Sequence, residues 1–259
     1  MKKPTLPKPS THFITIPLNS TPALKVSPFI PAPISHPIPL TNTQQIFIAT
    51  LDILEKTRTQ KTMLESLPTF TPYQLLVATM LSARTKDSTT IPIVKNLFKL
   101  HPTPKKISEL KLSELERLIY GVGFHHTKSN HLHELSYLIH TKYKDQCPST
   151  QDALTSLPGV GRKTANCILN YAFNTPAIAV DIHVHRITNR LGWIKTTSPE
   201  ETEDALMEIL PTEQWIRINK LLVVHGQTIC EPRKPKCNLC PITKYCEYFQ
   251  KQAKITPSK

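Results

Sequence analysis

The stretch from Leu157 to Asp181 reads LPGVGRKTANCILNYAFNTPAIAVD, and the chain is organised around it. A turn punctuated by Gly159 and Gly161 precedes an apolar helical run, with Lys163 in its first turn. Glycine lets backbone amides approach phosphate oxygens closely, and a helix start adds the positive end of its dipole. The stretch therefore predicts two short helices joined by a hairpin that grips a nucleic-acid backbone without reading bases.

Lys163 and Asp181 are the chemical candidates of this stretch. The helix dipole, the neighbouring Arg162 and partial burial all oppose the positive charge of Lys163, so we expect a lowered pKa and a nucleophilic amine. The alternative is a lysine that only contacts phosphate. Asp181 precedes another helical segment, and its simplest role is that of an N-cap. An ionised cap can also stabilise positive charge on a sugar ring, so the two roles are compatible.

The composition favours an acidic partner. The 259 residues include 32 Lys and Arg against 19 Asp and Glu, which gives a net charge of +13 and a pI near 9.5. This excess favours nucleic acid over a membrane surface, although many proteins are merely basic. No apolar run approaches the ~20 residues of a membrane span, and no secretory signal is recognisable. We expect a nucleic-acid partner, no membrane and a cytoplasmic location.

Helical apolar spacing recurs after residue 42, and the sequence predicts an all-α fold. Residues 1–42 hold ten prolines, four lysines and no acidic residue, so we expect an extended or disordered tail. A second basic tail is expected over residues 251–259. Ser113 and Glu116 have capping-box spacing, and Gly226 is predicted to end the last long helix. Helices are predicted at about 45–56, 73–83, 88–100, 113–120, 128–143, 151–156, 162–173, 182–191, from Ser198 onward, and 214–225.

Four cysteines crowd into the last thirty residues with the spacing C-x6-C-x2-C-x5-C: Cys230, Cys237, Cys240 and Cys246. Zinc sites more often use two C-x2-C pairs, whereas cubane iron–sulfur clusters accept uneven loops. We therefore expect a [4Fe–4S] cluster ahead of zinc, and disulfides third. The loop between the first two cysteines presents three cations to phosphates, or is simply a solvated basic loop: Arg233, Lys234 and Lys236.

Three motifs together resemble the endonuclease III family, in a form more archaeal than enterobacterial. They are LPGVGRKTAN from Leu157, AVDIHVHRITNRLG from Ala179, and HGQTIC from His225 with the cysteine loop behind it. The resemblance covers about residues 43–250 in matching order and spacing. It implies a bifunctional DNA glycosylase and AP lyase with a [4Fe–4S] cluster, acting as a monomer on double-stranded DNA with a damaged base or an abasic site.

The resemblance also assigns domains and roles. It implies two helical domains that flank a cleft: a six-helix domain over residues 66–175, and a cluster domain from residues 43–65 and 176–250. Lys163 is implied to attack the anomeric carbon and form a Schiff base, with Asp181 assisting, before β-elimination cuts 3′ to the lesion. Oxidised pyrimidines are the implied lesions. The protein is expected to be located with the DNA, at the nucleoid or, in a eukaryote, in the nucleus or an organelle.

Two positions depart from the family pattern. Arg84 stands where bacterial relatives fill the gap left by the flipped base with glutamine, and Phe124 replaces an aliphatic wedge. The remaining implied DNA contacts are Lys128, Gly159, Gly161 and Arg162. Three alternatives stay open: a thymine-mismatch glycosylase, an adenine-mismatch glycosylase, and a non-catalytic iron–sulfur protein that binds DNA.

Overall fold

A computed structural model describes residues 40–255, which are all-helical with no strand. None of the described helices is long and apolar enough to cross a membrane. Four short 3-10 helices accompany twelve α-helices: α1 Asn42–Thr57, α2 Pro72–Ser82, α3 Asp87–Leu100, α4 Pro104–Ser108, α5 Leu112–Leu118, α6 His125–Thr141, α7 Gln151–Thr155, α8 Arg162–Phe173, α9 Ile182–Leu191, α10 Pro199–Ile209, α11 Trp215–Thr228 and α12 Glu247–Ile255.

Side-chain caps mark the starts of six of the twelve described α-helices. Thr41 forms a capping box with Gln44, and Ser198 accepts a hydrogen bond from the amide of Glu201. Residues 40–42 therefore belong to the folded part and not to the predicted tail, whose other residues lie outside the described range. The predicted C-terminal tail is also corrected, because α12 continues through Ile255.

Three predicted helix boundaries are wrong. The box expected from Ser113 to Glu116 does not form, because α5 begins one residue earlier without a side-chain cap. Helix α6 begins three residues before Lys128, because the chain turns sharply at Phe124, whose backbone is left-handed. Gly226 does not end α11 but lies within it. There a Cβ would come within 2.5 Å of Nδ1 of His183, so the glycine admits that ring.

Apolar side chains form two clusters within one compact unit. The first joins helices from α2 to α8, and the second joins α1 with α9, α10 and α11. The chain passes between them over residues 177–180, where Ala177 and Ala179 belong to the first cluster and Ile178 and Val180 to the second. This crossing segment leads directly to Asp181. The division into two domains stays a prediction.

Candidate active site

Lys163 and Asp181 line the same cavity, which has a volume of about 480 Å³. Lys163 comes from the first turn of α8, and Asp181 from the residue before α9. The sequence did not single out several other polar residues of this cavity: Ser82, Thr85, Asp87, Cys167, His183, Asn219 and Gln227. Of these, Cys167 follows Lys163 by four residues, and this helical spacing is a signal that the sequence did contain.

The amine of Lys163 is held by neighbours that favour its protonated form. Its pKa is raised, first by the sulfur of Cys167, which also shares a hydrogen bond with it, and then by the carboxylate of Asp181. Desolvation of the amine acts in the opposite direction. The predicted lowering of the pKa is therefore wrong for the free protein. Burial raises the pKa of the Cys167 thiol, and the charge of Lys163 opposes that rise.

Arg162 does not oppose the charge of Lys163, because it is paired elsewhere. Its guanidinium donates to the buried carboxylate of Glu203 at 2.9 Å and to Asp204 at 2.8 Å. Both carboxylates belong to α10 and raise the pKa of the guanidinium further. The guanidinium thus joins α8 to α10 and offers no uncommitted charge to phosphates, and DNA binding by Arg162 stays a prediction.

Asp181 is the N-cap of α9. Its Oδ1 accepts hydrogen bonds from the backbone amides of His183 and Val184, both at 2.9 Å. Among the described residues, no hydrogen bond reaches its Oδ2. The capping role expected from the sequence is confirmed, and one carboxylate oxygen remains available to the cavity.

Three buried asparagines hold the crossing segment and so place Asp181. Asn170 brackets Ala177, accepting from its amide at 3.0 Å and donating to its carbonyl at 2.8 Å. Asn166 donates to the carbonyl of Ile178 at 3.0 Å, and Asn219 to that of Ala179 at 2.9 Å. Buried backbone outside helices needs such partners. These asparagines position the active site. Their partners lie outside their own helices, so the sequence alone does not reveal this role.

The hairpin glycines serve different purposes. Gly159 has φ of 74°, and a Cβ there would come within 2.9 Å of Nδ1 of His131. Gly161 is the exposed N-cap residue of α8, with nothing within 4 Å of an added Cβ. The start of α8 is therefore exposed and uncrowded, as an anion-binding helix start requires.

Arg84 and Phe124 lie side by side on two neighbouring turns. Both have left-handed backbone, with φ of 55° and 60°, and the guanidinium carbon lies 5.6 Å from the centre of the phenyl ring. Phe124 is 61% exposed. The two residues also line an open cavity of about 350 Å³ that reaches Gly159 of the hairpin. The structure thus places both departures from the family pattern on one exposed surface beside the hairpin.

Lys128 is not available to phosphates. Its side chain is buried, and Nζ donates to the carbonyls of Leu81 at 2.8 Å and Ala83 at 2.5 Å. Burial lowers its pKa. The prediction that Lys128 binds DNA is therefore corrected, because its amine is engaged by the carbonyls of Leu81, near the end of α2, and of Ala83, just after it.

The four C-terminal cysteines line one small enclosed cavity with mostly apolar walls. Arg190 donates from Nη1 to Sγ of Cys230 at 3.3 Å, and Nε2 of His225 lies 3.7 Å from Sγ of Cys240. No group of three or more His, Cys, Asp or Glu in the described range is arranged to hold a single metal ion.

The basic loop before Cys237 is only partly free. Lys236 pairs with Glu231 at 2.8 Å and donates to the carbonyl of Thr228 at 3.1 Å. Arg233 and Lys234 are exposed, and neither forms an ion pair with any described residue. Of the three predicted phosphate contacts on this loop, two therefore offer an uncommitted charge.

Known proteins show the same fold and motifs. Residues 77–212 match the sequence profile of the HhH-GPD superfamily base excision DNA repair proteins. Endonuclease III of Thermotoga maritima is 43% identical over 183 residues, which cover 71% of this chain and 86% of that protein. A solved covalent intermediate of endonuclease III trapped on DNA has a TM-score of 0.73 and 32% identity, over 82% of this chain and 99% of that one. A thermostable thymine-DNA glycosylase has a TM-score of 0.70 and 26% identity, over 81% and 97%.

The helical fold, the hairpin and the matched profile define the class: the chain belongs to the HhH-GPD superfamily of base excision DNA repair proteins. Within that superfamily it belongs to the endonuclease III family, and it is a base excision repair DNA glycosylase and AP lyase. A non-covalent complex of endonuclease III with DNA shares the fold as well, with a TM-score of 0.74 and 33% identity over 83% of this chain and 100% of that one. The all-α fold and the family resemblance are both confirmed.

Proposed function

We propose that Lys163 is the nucleophile and Asp181 its proton acceptor. The observation that carries this proposal is that both line one cavity, where Oδ2 of Asp181 accepts no hydrogen bond from residues 40–255. The raised pKa of Lys163 means that the free protein holds a protonated amine, which is not nucleophilic. Transfer of that proton to Asp181 would release the amine electron pair when the substrate is bound.

The neutral amine then attacks the anomeric carbon of the damaged nucleotide. The bond from that carbon to the base breaks, and the base leaves with the bonding electrons and takes up a proton. Opening of the sugar ring gives a protonated imine between Lys163 and the sugar. Loss of a proton from C2′ drives β-elimination, which breaks the bond to the 3′ oxygen and frees a 5′-phosphate end. A flipped nucleotide is required throughout, because a stacked base hides its glycosidic bond.

We propose oxidised pyrimidines as the substrates, with Arg84 and Phe124 filling the gap that the flipped nucleotide leaves. The support is the family membership and the exposed stacking of these two side chains beside the hairpin. The alternative, mismatched thymine, follows the similarity to the thymine-DNA glycosylase. Adenine-mismatch repair and a purely binding role are less well supported, since neither demands Lys163 beside Asp181.

A panel of duplexes tests this lesion class. Each carries dihydrouracil, thymine glycol or 5-hydroxycytosine opposite each of the four bases, or an undamaged T or A opposite each base with which it mispairs. We expect excision of the three oxidised pyrimidines and strand cleavage 3′ to them. Faster excision of mismatched thymine or adenine than of every oxidised pyrimidine would contradict the assignment.

We also propose that Cys230, Cys237, Cys240 and Cys246 hold a [4Fe–4S] cluster. The donor set fits, because all four line one cavity and the cation of Arg190 donates to a sulfur, as anionic thiolates require. When bound, such a cluster would cross-link the C-terminal loops. An absorption band near roughly 400 nm is expected for protein purified without air. A colourless protein containing zinc would contradict the proposal.

The remaining contacts follow from exposure and charge. We propose that the open amides at Gly159 and Gly161 grip one stretch of phosphates, and that Arg233 and Lys234 hold another. The two apolar clusters would then correspond to the two predicted domains, with the cavity as their cleft. We further propose a monomer that works wherever the DNA is kept, the cytoplasm of a prokaryote or an organelle or nucleus of a eukaryote.

A further inference from the structure

Lys128 is a buried cation without a carboxylate partner. Its side chain is 8% exposed, and desolvation alone accounts for its lowered pKa, with no described acidic group opposing it. Burying a charge without a counter-ion is costly unless its donors are satisfied. The amine must therefore be stabilised by hydrogen bonds to the groups that it contacts.

Those groups are two carbonyls at the end of α2 and just after it. Nζ donates to the carbonyl oxygens of Leu81 at 2.8 Å and Ala83 at 2.5 Å. Carbonyls at a helix end lack partners within the helix, and a cation there also meets the negative end of the dipole. The residue after Ala83 is Arg84, whose left-handed backbone begins the first of the two exposed turns.

The backbone of Lys128 holds the second turn. Its amide donates to the carbonyl of Phe124 at 3.0 Å. The turns also touch each other directly, since the amide of Gly123 donates to Oγ1 of Thr85 at 3.0 Å. A Cβ at Gly123 would lie 2.8 Å from the carbonyl oxygen of Arg84, so only glycine permits this approach. One lysine thus contacts both turns, while a glycine lets them pack closely.

We infer that Lys128 is a positioning residue that joins Arg84 and Phe124 into one preassembled wedge, which enters the DNA as a unit. This inference rests on the proposed role of these two side chains in filling the gap. Left-handed backbone at residues other than glycine stores strain, which persists only where the surroundings enforce it. Lys128 holds both turns in this conformation before DNA binds. The entropy cost of ordering the wedge at insertion is therefore smaller.

The test compares two substrates that differ in their need for a wedge. Removal of dihydrouracil from a duplex requires the nucleotide to be flipped, whereas borohydride trapping on a single-stranded abasic oligonucleotide does not. We expect Lys128→Met to lower the ratio of the first rate to the second roughly tenfold. Lys128→Arg, which keeps a donor, should recover part of that ratio. Where Lys128→Met folds poorly, Lys128→Gln serves with the same expectation.

Ser136→Ala is the matched control. Ser136 is buried in α6 like Lys128, and its Oγ lies 2.7 Å from the hydroxyl of Tyr73 in α2, so it joins the same two helices at their other end. Its loss should lower stability and leave the ratio unchanged. An unchanged ratio in the Lys128 variants would overturn this inference but not the proposed function. An unchanged ratio in both Arg84→Ala and Phe124→Ala would overturn the wedge itself, and the inference with it.

Discussion

The two roles of Asp181 can be separated by comparing Asp181→Asn with Asp181→Ala. Both capping amides donate to Oδ1, at 2.9 Å each, and asparagine keeps an acceptor oxygen at that position. Alanine removes it and leaves both amides without a partner. We therefore expect Asp181→Ala to lower the free energy of unfolding by about 1–2 kcal/mol, and Asp181→Asn by less than about 0.5 kcal/mol.

For a chain of this size, that loss in Asp181→Ala corresponds to a Tm lower by roughly 2–8 °C, whereas Asp181→Asn should stay near the wild type. Activity, in contrast, should fall in both variants, because neither asparagine nor alanine accepts a proton from Lys163. Trapping on an abasic duplex at neutral pH should fall by roughly 10²-fold or more in both. Thermal unfolding and borohydride trapping on the same preparations measure the two effects. Equal Tm losses in the two variants, or wild-type trapping in Asp181→Asn, would refute the reasoning.

Further predictions follow from the corrected contacts and the raised pKa. Arg162→Ala should lower the free energy of unfolding by about 1–3 kcal/mol in urea, because the buried carboxylate of Glu203 loses its cation and keeps, among the described residues, only the amide of Asn166; a double variant with Glu203→Gln should recover most of it. Lys234→Ala should weaken DNA binding and reduce its salt dependence by about one phosphate contact, whereas Arg162→Ala should leave the salt slope unchanged. Trapping should increase as the pH rises from neutrality, because the raised pKa keeps Lys163 protonated; in Asp181→Asn the rise should begin at lower pH, and a flat profile would count against this. Cys240→Ser should abolish the absorption band and lower the Tm, and retention of both would argue against a cluster at this position.

Features encoded by near neighbours could be predicted from the sequence. The hairpin, α8 and the cap at Asp181 follow from glycines, helical spacing and a carboxylate placed just before a helix. The capping box at Thr71 shows the same local logic at the start of α2. Each of these signals lies within a few residues of the structure that it specifies.

Features set by remote partners could not be predicted in this way. Lys128 donates a hydrogen bond to Leu81, 47 residues away, and Arg162 donates to Glu203, 41 residues away. In the sequence both cations therefore look unpaired, although each has a partner in the fold. The pKa of Lys163 is raised and not lowered, first because of the neighbouring Cys167 and then because the fold brings Asp181 close, while Arg162 is paired with carboxylates of α10. Identity and spacing indicated the chemistry, but only the fold shows which cations remain available.

The central claim is that the amine of Lys163 becomes covalently bound to the sugar. Borohydride reduction on an abasic duplex, followed by digestion and mass spectrometry, tests it directly. The account predicts an adduct on the peptide that contains Lys163, no adduct in Lys163→Ala, and a normal yield in Lys86→Ala, which removes the other lysine that lines the cavity. An adduct on another residue of the wild type, or an undiminished yield in Lys163→Ala, would contradict it.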